Sequence, residues 1–454
     1  AASGHGAFAP ITRSSRRVQG EVLVAPQSSA QQALWMLSQL EPDSSAYNCS
    51  NVFELPKDVE AGRLAHAIAV VSSRHEAFRT SFHEMGGEAV QQVLPGGDVS
   101  MELLDVSAGA GPGLDALIAA DAQRPFDLAR APLARCTLAR RSGESSFLLF
   151  SWHHIITDAW SARLFVQEVL DEYDGNAWAD GVHRIDYADY AEWEHAQAAS
   201  GSRAESARKW AERLLDTSRN VDLGDYSGTG HGARLGGWLD DASVDRIRQY
   251  ASASNATPFL VVKAALAVLL ARYSWTPSFC IGVPMSMRSR QELEHIIGYF
   301  INTAPIPVEY DGGRTFGELV ASLRSEMLFA QSNVETSLHH VMRAVAEALG
   351  KPVRALFNVS LAYDAQHDGA KDAGTGSRGM ARARGAQEGK FDLSLSVIEG
   401  VDGLALEWES RAGVMDGERL QVIARGFEAW VRILVSHPDV PLSQLGWGTA
   451  VEAR

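Results

Sequence analysis

The sequence predicts a mixed α/β (α+β) fold arranged as two lobes. Three observations carry this. The chain has 454 residues, more than one ordinary hydrophobic core serves. Apolar residues make up 46% and charged residues 21%, the balance of a globular chain. Segments with helical apolar spacing are interleaved with short strand-like runs. The lobes are expected at residues 1–180 and 181–454, divided by a stretch of Gly, Asp and Asn at 174–184.

In chain order, Ser29 is expected to cap a helix through Gln31, Leu34, Trp35, Leu37 and Leu40. A helix over 64–73 precedes a hairpin of residues 78–82 and 90–94 that turns at Gly86-Gly87. Residues 146–152 are continuously apolar, as in a buried strand, and deliver His153 and His154. Residues 160–173, with Phe165, Val166, Val169 and Leu170, have helical spacing. The segment between this core strand and helix is therefore rigidly supported at both ends. Beyond the linker come helices over 187–197, 204–215 and 257–273, with a Gly-rich connection at 224–237. A strand at 279–283 follows, then a strand pair at 391–399 and 404–409 turning through Val401-Asp402-Gly403, and a last helix at 418–435. Residues 365–389, poor in apolar side chains, read as a mobile surface loop. No internal repeat is visible.

Composition narrows the function. A net charge of -15 with no basic stripe argues against nucleic acid as a partner. Cys49, Cys136 and Cys280 lack paired spacing and read as core residues of a reducing compartment, with no metal site. No apolar run approaches the roughly 18 to 20 residues that span a bilayer, and no signal peptide is evident, so a cytoplasmic location is expected. The start at Ala1, without Met, gives the expectation that an upstream tag or docking segment has been removed. The Asn-x-Ser/Thr matches at Asn48, Asn255 and Asn358 are expected to be chance.

The reactive candidate is His153-His154-Ile155-Ile156-Thr157-Asp158. Acyl transfer to an amine or alcohol needs a group that takes the acceptor's proton and a group that stabilises an oxyanion. A neutral imidazole, with an ordinary pKa of about 6.5, can take the proton, orient the acceptor or hydrogen-bond the oxyanion. These roles stay open on the residues alone. Asp158 reads as an anchor that needs a buried partner, with an arginine expected. His339-His340 has no aspartate at matching spacing and is assigned to structure.

The string Trp152-His153-His154-Ile155-Ile156-Thr157-Asp158-Ala159-Trp160-Ser161 closely resembles the HHxxxDGxS motif of nonribosomal peptide synthetase condensation domains. Four companions occur in the family's order. Ser29-Ala30-Gln31-Gln32-Ala33-Leu34-Trp35 resembles its first motif, and Arg74-His75-Glu76-Ala77-Phe78-Arg79-Thr80-Ser81-Phe82 its RHExLRTxF motif. Tyr187-Ala188-Asp189-Tyr190-Ala191-Glu192-Trp193 resembles YxDYAxW, and Ile297-Gly298-Tyr299-Phe300-Ile301-Asn302-Thr303 resembles IGxFVNT.

The resemblance implies two chloramphenicol-acetyltransferase-like lobes in a V, with the active site at their junction and a tunnel open to donor and acceptor. It implies direct acyl transfer in a ternary complex. The family's histidine role falls on His154, beside His153, and its aspartate on Asp158. The arginine partner falls on Arg288, with Arg290 as second choice, and Asn302 is expected at the junction. Ala159 replaces the family glycine, and with Trp160 and Ser161 is expected to border the acceptor's passage. No metal and no bound cofactor are implied. The phosphopantetheine arm comes from a partner acyl or peptidyl carrier protein, and the acceptor is a small molecule or carrier-bound. The chain is expected to be a monomer and a stand-alone enzyme of nonribosomal peptide or hybrid polyketide biosynthesis, forming amides or esters.

There are departures. The HQDxPFE motif is poorly matched over 333–339, and RDxSRNPL is reduced to Val353-Arg354-Ala355-Leu356-Phe357. Where epimerisation domains carry an EGHGRE-type segment this chain has Gly282-Val283-Pro284-Met285-Ser286-Met287-Arg288, and cyclisation domains replace both histidines by aspartate. Two rival readings are a coenzyme A-dependent acyltransferase of related fold, although the plant-type DFGWG motif is absent, and a catalytically silent domain that recruits partners to a carrier.

Overall fold

A computed structural model describes residues 10–15, 20–106, 113–140, 145–176, 185–199, 202–224, 232–365, 380–382, 389–400 and 403–446. The chain divides into two compact units. The first is Ala1–Ser202 with Met287–Ile301 and Ala373–Gln387, and the second is Arg203–Ser286, Asn302–Asp372 and Glu388–Arg454. The division thus falls after Ser202 rather than at 180, and two later segments return to the first unit.

In the first unit, β1 (Leu23–Pro26) leads into α1 (Ser29–Leu40), β2 (Asn48–Leu55), α2 (Ala61–Arg74) and the hairpin β3 (Thr80–Met85) and β4 (Glu88–Val93). Then come β5 (Met101–Asp105), α3 (Leu114–Gln123), β6 (Ala134–Arg140), β7 (Ser146–His153), α4 (Ala159–Asp174) and α5 (Tyr187–Ala199). β1, β4 and β3 form a small antiparallel sheet whose hairpin turns at Gly86 and Gly87, both at positive φ. The larger sheet has the order Met380–Arg382, β2, β7, β6, β5.

β7 lies in the middle of that sheet, antiparallel to β2 on one side and β6 on the other. A strand covered on both faces is mostly apolar, which is why 146–152 shows no regular polar alternation, Ser146 and Ser151 being its polar residues. Leu148, Phe150 and Trp152 pack into a core with Leu64, Ile68 and Val71 of α2 and Phe165 and Val169 of α4. The alternate face turns toward α3, where the Ser151 hydroxyl donates to Asp121 and Phe126 stands against His153. α5 belongs to this unit because Ala188 shares a small apolar cluster with Leu23, Ala25 and Val93.

The second unit is built on a six-stranded sheet in the order Ile301–Glu309, Ser278–Ser286, Val359–Ala365, Leu393–Gly400, Gly403–Ser410, Arg234–Trp238. Val359–Ala365 runs parallel to both neighbours. The helix Pro258–Ser274, capped by Thr257, is buried from Leu260 to Ala271. An all-round apolar helix of this kind belongs in a core. Among the described residues no single helix is long and apolar enough to cross a membrane.

Several expectations change. Ser28, not Ser29, caps α1, in a reciprocal capping box with Gln31. Ser29 instead gives its backbone N–H and its hydroxyl to Glu194 of α5, both at 2.7 Å. Within the expected loop at 365–389, Met380–Arg382 is an edge strand paired with β2, while 366–379 and 383–388 lie outside the described residues. So do 1–9, most of the expected linker (177–184), part of the Gly-rich connection (225–231), and residues 401 and 402 of the expected turn.

Candidate active site

The segment after β7 is held by its backbone before any side chain acts. His153 N–H donates to Leu133 O at 3.0 Å and His154 N–H to Tyr47 O at 2.8 Å. Residues His154–Ile156 form one 3-10 turn, and Asp158 then caps α4, accepting from Ser161 N–H at 2.7 Å. A carboxylate at this helix end also sits favourably in the helix dipole.

Asp158 is 3% exposed and its oxygens are fully engaged. Besides Ser161 N–H, it accepts from Phe300 N–H at 3.1 Å and from Arg288 Nη2 at 3.3 and 3.4 Å. Arg288 also donates to the carbonyls of Leu293 and Ile296 and to Ser161 Oγ, and its guanidinium lies 4.1 Å from the Phe300 ring centre. Burial pushes this guanidinium below its ordinary pKa, and the Asp158 charge opposes that shift. Arg290 is elsewhere, against Glu292 and over Trp193. The Asp158 and Arg288 pair therefore ties the first turn of α4 to residues 288–300. It does not present a base.

The two histidines are unlike. His153 is buried, and its Nδ1 accepts from Ile155 N–H at 3.2 Å, so that nitrogen bears the lone pair and the ring closes the 3-10 turn. His154 is half-buried, and its Nδ1 lies 2.7 Å from Thr157 O. A carbonyl oxygen only accepts, so Nδ1 carries the proton and the neutral ring keeps its lone pair on Nε2. Of the two, His154 is in the tautomer a base requires at Nε2. His153, expected beside it as a catalytic group, has its Nδ1 engaged by Ile155 N–H.

Tyr187 joins the remaining motifs. Its hydroxyl donates to Tyr299 O at 2.6 Å and stands 2.9 Å from Ser28 Oγ. Its ring packs at 4.8 Å against Phe300 and fills the space a side chain at Gly298 would need. Burial raises the Tyr187 phenol well above its ordinary pKa, and the Ser28 bond partly offsets this. From the second motif, His75 meets Glu168 of α4 at 2.9 Å in the interior, and Arg74 meets Glu172. The five motifs are thus one set of contacts around α4 and the turn before it.

The condensation-domain family model matches residues 22–454. The chain belongs to the condensation-domain family. It is 27% identical over 425 residues to bacitracin synthase 1 of Bacillus licheniformis, covering 92% of this chain and 8% of that protein. The chain thus spans a small part of that relative's length. Among solved structures it is similar to the condensation domain of the monacolin K polyketide synthase MokA, with a TM-score of 0.80 at 20% identity, covering 93% of this chain and 99% of that one. It is also similar to the X-domain from teicoplanin biosynthesis, with a TM-score of 0.81 at 20% identity, covering 96% and 100%. The mixed α/β, acetyltransferase-like fold expected from the motifs is the fold of these neighbours.

Within this condensation domain, the residues expected at the acceptor's passage separate. Ala159 and Trp160 are exposed, and Trp160 Nε1 donates to Glu294 O at 2.8 Å. Ser161, by contrast, is wholly buried at 0%. Its hydroxyl donates to Gly298 O at 2.9 Å and accepts from Gly298 N–H at 3.1 Å and Arg288 at 2.7 Å, which exhausts a hydroxyl's capacity. Asn302 lies in the second unit. It donates to Val334 O and Thr336 O and accepts from Leu338 N–H, fixing the segment that matched its motif poorly.

Two residues near His154 escaped the sequence reading. Tyr299 stands edge-to-face with the imidazole at 4.9 Å, and the Tyr47 carbonyl accepts from His154 N–H at 2.8 Å. Burial lifts both phenols, Tyr47 to about 12. Tyr299 occupies the unspecified position of IGxFVNT, and Tyr47 lies in the turn just before β2, so neither carried a signal. Among the described residues no three His, Cys, Asp or Glu side chains stand together as a metal site.

Proposed function

We propose that this condensation domain transfers an acyl group from the phosphopantetheine thioester of a partner acyl or peptidyl carrier protein to an amine or hydroxyl acceptor, forming an amide or ester. The observation that carries this reading is the bond from His154 Nδ1 to Thr157 O, which places the ring's proton on Nδ1 and leaves the lone pair of the neutral imidazole on Nε2. As the acceptor's nitrogen or oxygen attacks the thioester carbonyl, Nε2 takes its proton. The tetrahedral intermediate collapses with loss of the thiolate, which receives that proton from the imidazolium. Acyl transfer is then complete without a covalent enzyme intermediate, and His154 returns to its starting state. A placed base of this kind is worth about 10² to 10⁴ in rate.

Asp158 contributes by holding the turn, since all its near neighbours are donors from the protein itself. Membership in a family whose relatives include a bacitracin synthase supports amide or ester formation as the reaction class. The test is intact-mass analysis of a carrier loaded with an acyl group and incubated with the domain and candidate amines and alcohols. Loss of the acyl mass from the carrier with gain of the conjugate supports the reading. Reaction with acyl-coenzyme A but never with a loaded carrier favours the acyltransferase alternative. Carrier binding without transfer to any acceptor favours a silent recruiting domain.

A further inference from the structure

Residues 298–300 are tied to the first turn of α4 and to α5 at every step. Gly298 bonds Ser161 through both its N–H and its carbonyl, Tyr299 O accepts from Tyr187, and Phe300 N–H donates to Asp158. The side chain this places beside the imidazole is Tyr299, with ring centres 4.9 Å apart and planes at 66°. Edge-to-face packing at that distance is an attractive and directional contact. We propose that Tyr299 is a positioning residue for His154, its ring holding the imidazole in the rotamer that presents Nε2. The inference rests on the reading of His154 as the proton acceptor.

The Nδ1 bond to Thr157 O fixes one edge of the imidazole. The Tyr299 ring packed edge-to-face against it restricts the ring from the side. The same chain segment that closes on Asp158 also sets Tyr299, so the anchoring of the turn and the aim of the base are coupled. The Tyr299 phenol is pushed above its ordinary pKa by burial and by neighbouring Tyr47, so it stays neutral and adds packing rather than charge.

The test compares Tyr299→Leu and Tyr299→Phe in the full chain, by steady-state kinetics and by the ring ¹⁵N shifts of His154, assigned with His154→Gln. Tyr299→Leu is expected to lower kcat by about 10- to 100-fold with KM changed by less than about twofold, because misaim of a reacting group costs the chemical step. Its His154 shifts are expected to move from the Nδ1-protonated tautomer toward an average of the two. Tyr299→Phe is expected to restore both the tautomer and kcat to within about threefold, since it keeps the ring. Unchanged kcat and shifts in Tyr299→Leu overturn the proposal, as does a loss in Tyr299→Phe equal to that in Tyr299→Leu, which would assign the effect to the hydroxyl. If Tyr299→Leu fails to fold, Tyr299→Met takes its place. The nitrogen shifts need no turnover, so a failure of His154 as base and a failure of this inference read out separately.

Discussion

Asp158 has a neighbour for each of its lone-pair directions, and this decides what its loss does. Removing one member of a buried ion pair costs about 3 to 5 kcal/mol, because the other charge is left without its counterion. Asp158→Ala is therefore expected to lower thermal stability by that order and to abolish activity together with it. Replacing both Asp158 and Arg288 by leucine should cost less than the two single changes added, and a double-mutant cycle by chemical denaturation measures this. The identity of the motif residues was legible in the sequence, but their division of labour was not. Whether Nδ1 of a histidine donates or accepts depends on a carbonyl or an N–H three or two residues on, and on the turn that brings it there. Ser161, which the motif resemblance puts near the acceptor's passage, is turned by helical geometry onto Gly298.

At the scale of elements, the IGxFVNT segment and α5 fit as one part. Tyr187 occupies the space beside Gly298, so Gly298→Ala forces overlap with the aromatic ring and is expected to destabilise by about 1 to 3 kcal/mol or more. In a Tyr187→Leu background the same change should cost less, as unfolding curves of the four proteins would show. The cap at Ser28 makes a smaller claim. Ser28→Ala removes an N-cap worth about 1 kcal/mol and also the neighbour of the Tyr187 hydroxyl. The long amphipathic helices and the Gly86-Gly87 hairpin were readable because their periodicity and turn chemistry are local. The strands β2, β5 and β6 and the helices Asp241–Ala253 and Phe316–Ser332 were passed over. Asn48–Leu55 mixes polar and apolar residues since its polar groups bond Ala122 O and Arg124 O or Ser151, contacts that no local pattern announces.

At the scale of the whole molecule, the two units are interleaved along the chain, and that is why composition placed their division early. Met287–Ile301 returns to the first unit carrying Arg288, Gly298 and Phe300, so the site is completed by a segment some 130 residues downstream of Asp158. The second unit holds a different lever, Lys263 in the buried helix, with Nζ 3.4 Å from Met327 Sδ and with Glu326 and Cys280 as its charged and titratable neighbours. Burial lowers its pKa from 10.5 to about 7, while Glu326 opposes the shift. Between those values the unfolded chain binds a proton that the folded one does not, so stability falls as pH drops from about 10.5 to 7 and is level below. Lys263→Met is thus expected to raise Tm at pH 7, with a gain that shrinks toward pH 10, and thermal scans at the two pH values check it.

The most direct test of the central claim is the rate of His154→Ala with a carrier-bound acyl thioester and a reactive acceptor, measured beside its unfolding curve. A fall in kcat/KM of about 10² to 10⁴ is expected, with a stability loss limited to the single bond from Nδ1 to Thr157 O, about 1 kcal/mol. Turnover within about threefold of the parent protein would contradict the base role, since loss of a placed general base typically costs about 10² or more.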